Sequence, residues 1–334
     1  MQFFEHKIKQ IQQETESSVS IFFENHKDFK FLPGQYISLE QEINGEKIRR
    51  SYSLSSIPGE DLRIGIKAIP NGVFSNFALG LKEGDSLFLS APEGRFVLDP
   101  GKNSSKELLA IAAGSGITPV LSMIKSTLAN SSNKITLLYG NKTPEEVMYK
   151  AEIEALSQNN DRLQVHYAYS KNCGSDEYLG RIDKGFIKNK TNGLQFDDVF
   201  LCGPEGLIES SKNLFLEEGY SEDQIHFELF TSSKKEDVIT SEEVEITVVL
   251  DDETHQFSAP KGMNLLEAVL NEDLDAPYSC KGGVCSSCIA LVSSGKASME
   301  KNSILTDSEI EEGLTITCQA HAETDKITLD FDEC

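Results

Sequence analysis

Four cysteines in the C-terminal third constrain this chain more than any other feature. Cys280-x4-Cys285-x2-Cys288 falls in one short stretch, and Cys318 follows after a further strand and loop. Three thiolates from one loop and a fourth from a later segment is the spacing that holds the two irons of a [2Fe-2S] cluster. A zinc site also takes four cysteines, but zinc ribbons usually show two C-x2-C pairs, and here only Cys285 and Cys288 have that spacing. Gly282 and Gly283 remove side chains where a backbone must wrap around a cluster and turn its N–H groups toward sulfur. Cys173, in a Gly- and Ser-containing loop, and Cys334, at the end of the sequence, are not expected as ligands.

Such a loop needs a folded frame, and 334 residues suffice for two or three domains. Hydrophobic content of 39% and charged content of 25% are ordinary for globular chains. The net charge of -23 is uneven: residues 241–334 carry 20 acidic against 5 basic side chains. That field disfavours nucleic acid and anionic membranes and favours a partner with a basic patch. No run of about 18 apolar residues is available to span a bilayer. Met1-Gln2-Phe3-Phe4-Glu5-His6 lacks a basic region followed by an apolar stretch, so a cytoplasmic protein is expected. Thiols stay reduced there, which suits metal ligation.

Local patterning predicts three domains. Residues 1–102 hold short β-branched and aromatic runs (18–23, 36–39, 52–54, 62–66, 86–90) broken at Pro33-Gly34, Asn44-Gly45, Pro58-Gly59 and Gly84-Asp85. This predicts an antiparallel β-barrel or sandwich with one helix over 75–81. In residues 103–231 strands at 108–113, 135–139, 163–169 and 199–202 alternate with helices at 119–128, 146–156 and 205–217. Such alternation predicts an α/β domain around a parallel sheet. A polar linker over 232–242 leads to residues 243–334, with strands at 244–250, 254–257, 289–292 and 327–331 and a helix at 265–270.

Several short motifs fall at the ends of these elements. Arg50-Ser51-Tyr52-Ser53 lies on a strand, where alternation puts Arg50 and Tyr52 on one face and Ser51 and Ser53 on the other. Lys67 ends a later strand, and Gly72-Val73-Phe74-Ser75 opens the helix, whose free N–H groups suit a pyrophosphate; Ser75 is also an ordinary N-cap residue. Gly114-Ser115-Gly116-Ile117-Thr118-Pro119 joins a strand to a helix with Pro119 at the first helical position. The usual G-x-G-x-x-G is not met, because Pro119 replaces the third glycine, and Tyr139-Gly140-Asn141 provides no acid at the end of the next strand. Cys202-Gly203-Pro204 and Glu228-Leu229-Phe230 end later strands, and Ser170-Lys171 follows the third. A small buried Cys at 202 and a core Phe at 230 are the plain structural alternatives.

Taken together these motifs resemble the ferredoxin-NADP reductase family, over about residues 5–332. The C-terminal segment is similar to plant-type ferredoxins, with Pro277-Tyr278-Ser279-Cys280 entering the loop and Thr317-Cys318-Gln319-Ala320 closing it, which implies a β-grasp fold with the cluster near the surface. The resemblance implies that Tyr52 packs on the isoalloxazine ring, Ser53 lies near its reactive nitrogen and Arg50 pairs with phosphate. Gly72 and Ser75 match the family's pyrophosphate helix, which favours FAD over FMN. It further implies that Gly114, Thr118 and Cys202 surround the nicotinamide cofactor, with Cys202 near the hydride-donating carbon and Phe230 covering the flavin face opposite Tyr52. Ser170-Lys171 favours NADPH over NADH, since relatives place a hydroxyl and a cation there for the 2′-phosphate.

The order flavin, nucleotide, ferredoxin matches reductase components of bacterial oxygenase systems, the phenylacetyl-CoA epoxidase type above all. The implied activity is hydride transfer from NAD(P)H to FAD and single-electron transfer through the cluster to a di-iron or Rieske oxygenase. The alternative is a non-catalytic flavin and iron-sulfur subunit that carries electrons or senses redox state inside a complex.

Overall fold

The computed structural model describes residues 1–24, 29–99, 105–171, 178–191, 193–230 and 240–333. Cys173, Cys334 and most of the expected linker lie outside the described residues. The chain divides into two compact units: Phe3–Phe230, and Thr231–Cys334 with Met1–Gln2.

The first unit begins with β1 (Phe3–Thr15), β2 (Ser18–Phe23), β3 (Tyr36–Ile43), β4 (Glu46–Ser53), β5 (Leu62–Lys67), helix α1 (Val73–Ala78) and β6 (Ser86–Ser90). They form an antiparallel sheet in the order β4-β3-β6-β1-β2-β5. A bridge between Leu54 and Ile64 joins the two ends and curls the sheet into a barrel. Val19, Ile21, Phe23, Leu62, Ile64 and Ile66 point inward into one core, as their spacing of two requires. The opposite face of β2 and β5 is buried as well, with Ser18, Ser20, Arg63 and Gly65 out of solvent.

Two expectations for this region need correction. Strand β1 has no counterpart among the expected strands, because only Ile8 and Thr15 of its 13 residues are buried and the register shifts between Ile8 and Gln10 and between Gln13 and Thr15. Its partners β2 and β6 hold it in place without an alternating apolar pattern of its own. The helix expected over 75–81 starts earlier, at Val73, because Gly72 in extended conformation is its N-cap.

The same unit continues with β7 (Glu107–Ala113), α2 (Ile117–Asn130), β8 (Lys134–Asn141), α3 (Lys150–Gln158), β9 (Leu163–Tyr169), β10 (Tyr178–Leu179), α4 (Lys184–Thr191), β11 (Asp198–Gly203), α5 (Glu205–Glu217) and β12 (Ile225–Leu229). The strands are parallel in the order β10-β9-β8-β7-β11-β12. Strand order reverses between β7 and β11, and in open α/β sheets the crevice that takes a ligand lies at the C-terminal ends of the strands at such a point. The expected helix start at Glu146 is displaced to Lys150, because Tyr149 adopts φ 58° and breaks the turn from Pro144–Glu146. Pro119 is the third residue of α2 rather than the first; the N–H groups of a first turn have no helical partner, so proline costs no bond there.

At the other end of this sheet Asp198 bonds His226 at 3.2 Å and Lys106 at 2.7 Å. The His226 hydrogen bond, with help from Lys106 and against burial, holds the Asp198 carboxyl below its ordinary 3.8. A lowered folded value means stability that is present above the unfolded value and lost as pH falls through the folded one. Asp198→Asn is therefore expected to destabilise the first unit by about 1 kcal/mol at pH 7, and the difference should shrink below pH 3.8. Urea denaturation of both proteins across pH checks this.

The second unit comprises β13 (Glu243–Leu250), β14 (Glu253–Pro260), α6 (Leu265–Leu270), β15 (Ile289–Ser294), β16 (Ala297–Met299), α7 (Asp307–Glu311), β17 (Leu314–Ile316), β18 (Ala320–Ala322) and β19 (Lys326–Asp330). Its main sheet runs β14-β13-β19-β15-β17, with β13 and β19 parallel and the rest antiparallel. Leu265, Leu266 and Val269 of α6 pack into its core, and Asn264 caps the helix by accepting from Glu267 N at 3.0 Å. Among the described residues no helix is long and apolar enough to cross a membrane.

Candidate cofactor sites

Strand β4 ends where the barrel meets the parallel sheet. Ser53, buried opposite Tyr36, donates to Glu228 Oε2 at 3.3 Å. Glu228 is in turn the cross-strand partner of Cys202 on β11. Three residues expected at the site from separate motifs thus line up across one crevice. Tyr52 is half-buried with its ring 5.6 Å from Phe74, and burial pushes its phenol well above the ordinary value while Arg50 pulls the other way. Arg50 is exposed and donates to the Arg49 carbonyl at 2.6 Å. Its neighbour Arg49 is the buried one, paired with Glu40 at 2.6 Å and 4.9 Å from the Phe3 ring centroid. Ser51 is half-buried.

Beside this edge, α1 carries no acidic residue in its first turn and no side-chain cap. Phe74 anchors it in the barrel core, Val73 is exposed, and buried Ser75 accepts from Ile69 N at 3.3 Å. A Cβ at Gly72 would collide with Ser75 Oγ and come 2.6 Å from Ile69 Cγ1, so a larger residue there would have to displace these side chains. Lys67 pairs with Glu146 at 3.1 Å, directing its ammonium toward the second half of the unit.

Across the crevice, Gly114 takes φ 56° and accepts from Tyr139 Oη at 2.9 Å. Buried Thr118 donates to the Ser115 carbonyl at 3.0 Å, and Pro119 is buried behind it. A Cβ on Gly116 would press into the Cys202 carbonyl, 2.6 Å from its carbon and 3.0 Å from Gly203 N. Gly203 packs less closely, a Cβ there lying 3.2 Å from Ala113 Cβ, and Pro204 in extended conformation caps α5. Cys202 is wholly buried, and burial, then the Glu228 carboxylate, pushes its thiol well above the ordinary value. It is a neutral thiol at physiological pH. Phe230 packs against the core of the parallel sheet. Ser170 and Lys171 are exposed, their N–H groups bonded to the carbonyls of Asn141, the last residue of β8, and Lys142.

In the second unit, β15 and β17 pair Ile289 with Ile316, which brings Cys288 beside Thr317-Cys318. Thr317 donates to the Cys288 carbonyl through its N–H at 3.0 Å and its hydroxyl at 2.8 Å. Cys285 bonds Cys280, and Cys288 bonds Cys318. Cys280 is pulled down to about 7 by Cys285, helped by the Gly282 and Val284 N–H groups and opposed by burial. Cys318 is likewise lowered by Cys288, whereas the two donor thiols are raised. Among the described residues no group of three or more His, Cys, Asp or Glu side chains is arranged around a single metal ion. Four free thiols in two adjacent pairs, three from one loop and one from just past the end of β17, are the donor set that a cluster with two irons takes. Cys280 is half-buried and the other three are buried.

Sequence reasoning missed a polar joint between the barrel and the parallel sheet. Arg63 binds Glu152 at 2.7 and 3.1 Å, and Tyr149 lies 3.3 Å from both Ser20 and Ser55 hydroxyls. Its one sequence signal was an arginine in the middle of an apolar strand.

Residues 7–98 match an oxidoreductase FAD-binding domain, 110–213 an oxidoreductase NAD-binding domain, and 248–323 a 2Fe-2S iron-sulfur cluster binding domain. The chain is 33% identical to one of the subunits of 1,2-phenylacetyl-CoA epoxidase from Escherichia coli K12, over 97% of this chain and 96% of that protein. It is 31% identical to the ferredoxin reductase component of 3-ketosteroid-9-alpha-monooxygenase from Mycolicibacterium smegmatis, over 91% of this chain and 88% of that protein. Phthalate dioxygenase reductase has the same fold, with a TM-score of 0.64 at 23% identity, 98% of each chain being covered. A type IV self-sufficient cytochrome P450 monooxygenase contains it too, with a TM-score of 0.73 at 22% identity, over 98% of this chain and 41% of that larger one. With three matching domain families in this order and relatives aligned end to end, the chain belongs to the ferredoxin-NADP reductase superfamily, among its members with a C-terminal [2Fe-2S] ferredoxin domain.

Proposed function

We propose that this chain is the reductase component of an oxygenase system of the phenylacetyl-CoA epoxidase type, taking electrons from NADPH or NADH, NADPH being favoured, and delivering them to a di-iron or Rieske oxygenase. The observation that carries this reading is the alignment of Ser53, Glu228 and Cys202 in one row, with four adjacent thiols, three from one loop and one from a later segment, in the other unit. When bound, FAD accepts hydride from the nicotinamide and the [2Fe-2S] cluster forwards electrons singly.

The domains run 1–102 for FAD, 103–231 for the nucleotide, 232–242 as linker and 243–334 for the cluster. Tyr52 and Ser53 face the flavin, Arg50 pairs with its phosphate, Lys67 at the end of β5 borders the site while paired with Glu146, and Gly72–Ser75 accommodate the pyrophosphate. Gly114, Ser115, Gly116, Thr118 and Pro119 form the turn against which the nicotinamide cofactor lies. Cys202, Gly203 and Pro204 close its far side. Cys202, held neutral, supplies a small uncharged wall, and Glu228 holds the Ser53 hydroxyl in a fixed orientation. Phe230 shields the crevice from water. Cys280, Cys285, Cys288 and Cys318 bind the cluster, and a cytoplasmic setting keeps these thiols reduced. The acidic second unit docks onto a basic face of the oxygenase.

Lys171 provides a specific check of the donor. Lys171→Ala is expected to raise KM for NADPH about ten-fold, the loss of one charge-assisted phosphate contact, and to leave KM for NADH unchanged. An equal effect on both cofactors would remove Lys171 from the 2′-phosphate site. The partner is tested by mixing the protein with the oxygenase subunits of a phenylacetyl-CoA epoxidase and NADPH. Product formed only when all components are present is expected; no product despite reduction of the protein would reject this oxygenase class.

A further inference from the structure

The outer face of strands β2 and β5 is packed where a barrel usually meets water, and a set of polar contacts joins it to the parallel-sheet half. Ser20 and Gly65 are cross-strand partners there, as are Phe22 and Arg63. Tyr149 is seated on this face: its hydroxyl lies 3.3 Å from Ser20 Oγ and from Ser55 Oγ, and its ring centroid is 4.9 Å from the Arg63 guanidinium. A Cβ at Gly65 would run into the Tyr149 hydroxyl and come 2.8 Å from Thr118 Cγ2, so β5 carries glycine where the tyrosine sits. Tyr149 holds φ 58°, an unfavourable conformation for an aromatic residue, and its N–H donates to Glu14 Oε2 at 3.3 Å.

Around this seat the contacts are directional. Arg63 gives two bonds to Glu152 of α3, one to Ser55 Oγ at 3.0 Å and one to the Ser55 carbonyl at 2.8 Å. Ser122 of α2 donates to the Ser56 carbonyl at 2.6 Å, and Lys125 of α2 pairs with Glu60 at 2.6 Å and with Glu152 at 3.5 Å. Residues 55 and 56 lie just beyond Ser53, and α2 grows out of the Gly114–Gly116 turn. The joint therefore grips the flavin-facing strand and the nicotinamide-facing turn a few residues from each.

A paired buried arginine and carboxylate adds little to stability over apolar packing, but a forked pair fixes direction in a way that an apolar contact does not. Hydride transfer needs its reacting atoms within roughly 3–3.5 Å, and a 1 Å misplacement costs about 100-fold. We propose that Arg63, Glu152 and Tyr149 are positioning residues that set the approach of the nicotinamide to the flavin by locking residues 53–56 to helices α2 and α3. The proposal rests on the assignment of the two cofactor sites given above.

The test uses Glu152→Gln and Tyr149→Phe in the full-length holoprotein, each of which keeps the side chain's shape. Flavin reduction at saturating NADPH or NADH is followed by anaerobic stopped flow, together with nicotinamide–flavin charge-transfer absorbance, melting temperature and amide hydrogen exchange over residues 53–56. The expected result is a limiting rate lowered about ten-fold, weakened charge-transfer absorbance, KM changed less than about two-fold and faster exchange at 53–56. Arg63→Lys, which keeps the charge and loses the fork, should fall between these variants and wild type. Limiting rates and exchange like those of wild type would overturn the proposal, as would a rate loss that only tracks lost flavin or lowered melting temperature. If neither nicotinamide reduces wild-type flavin, the site assignment fails instead, and the exchange data still report whether the joint locks 53–56.

Discussion

Cys285→Ser is expected to abolish electron delivery to a one-electron protein acceptor such as cytochrome c while leaving flavin reduction by nicotinamide within about two-fold of wild type. Cys285 is buried beside Cys280, so the substitution removes one sulfur ligand from the first pair. A serine hydroxyl ionises far less readily and is a poor ligand for iron in such a cluster. The flavin and nicotinamide motifs all lie in Phe3–Phe230, a unit with its own cores, and need no contribution from the cysteine loop. Iron and flavin content measured with stopped-flow reduction checks this. Equal loss of both activities at full flavin occupancy would contradict a modular electron path.

Gly116→Ala is expected to slow flavin reduction by NADPH at least about 100-fold, the cost of displacing a reactant by about 1 Å. The added methyl meets the backbone of Cys202 and Gly203, not a flexible side chain, so the turn after β7 or the end of β11 must move. Both flank the crevice at the strand-order reversal. Gly114→Ala provides the comparison: an added Cβ there meets open space, and the positive φ costs about 1 kcal/mol. It should therefore lower stability with a much smaller effect on rate. Dithionite bypasses the nicotinamide and should reduce both variants as it does wild type. Retention of nicotinamide-driven reduction by Gly116→Ala within about three-fold would remove this turn from the site.

What the sequence reveals depends on whether the information is local. The cysteine loop is legible because three of the four proposed ligand positions fall within nine residues and the glycines between them report close backbone approach. The switch-point turn is legible for the same reason, since Gly114, Gly116 and Pro119 mark a strand-to-helix junction. Alternation along β4 announces a two-faced strand but not that Arg49, and not Arg50, is the buried arginine; that choice is made by Glu40 and Phe3 from neighbouring strands. The joint escaped notice because Gly65 makes room for Tyr149, 84 positions later, and Tyr149 reaches that seat from a left-handed backbone. Strand β1 escaped because its place is set by pairing on both edges instead of by apolar periodicity.

The most direct test of the electron path is the anaerobic visible spectrum of the purified protein, titrated separately with NADPH and NADH. The account predicts flavin and iron-sulfur absorption at the start and bleaching of both by NADPH at lower concentration than by NADH. A protein that lacks either absorption after reconstitution, or whose bands neither nicotinamide bleaches, would contradict it.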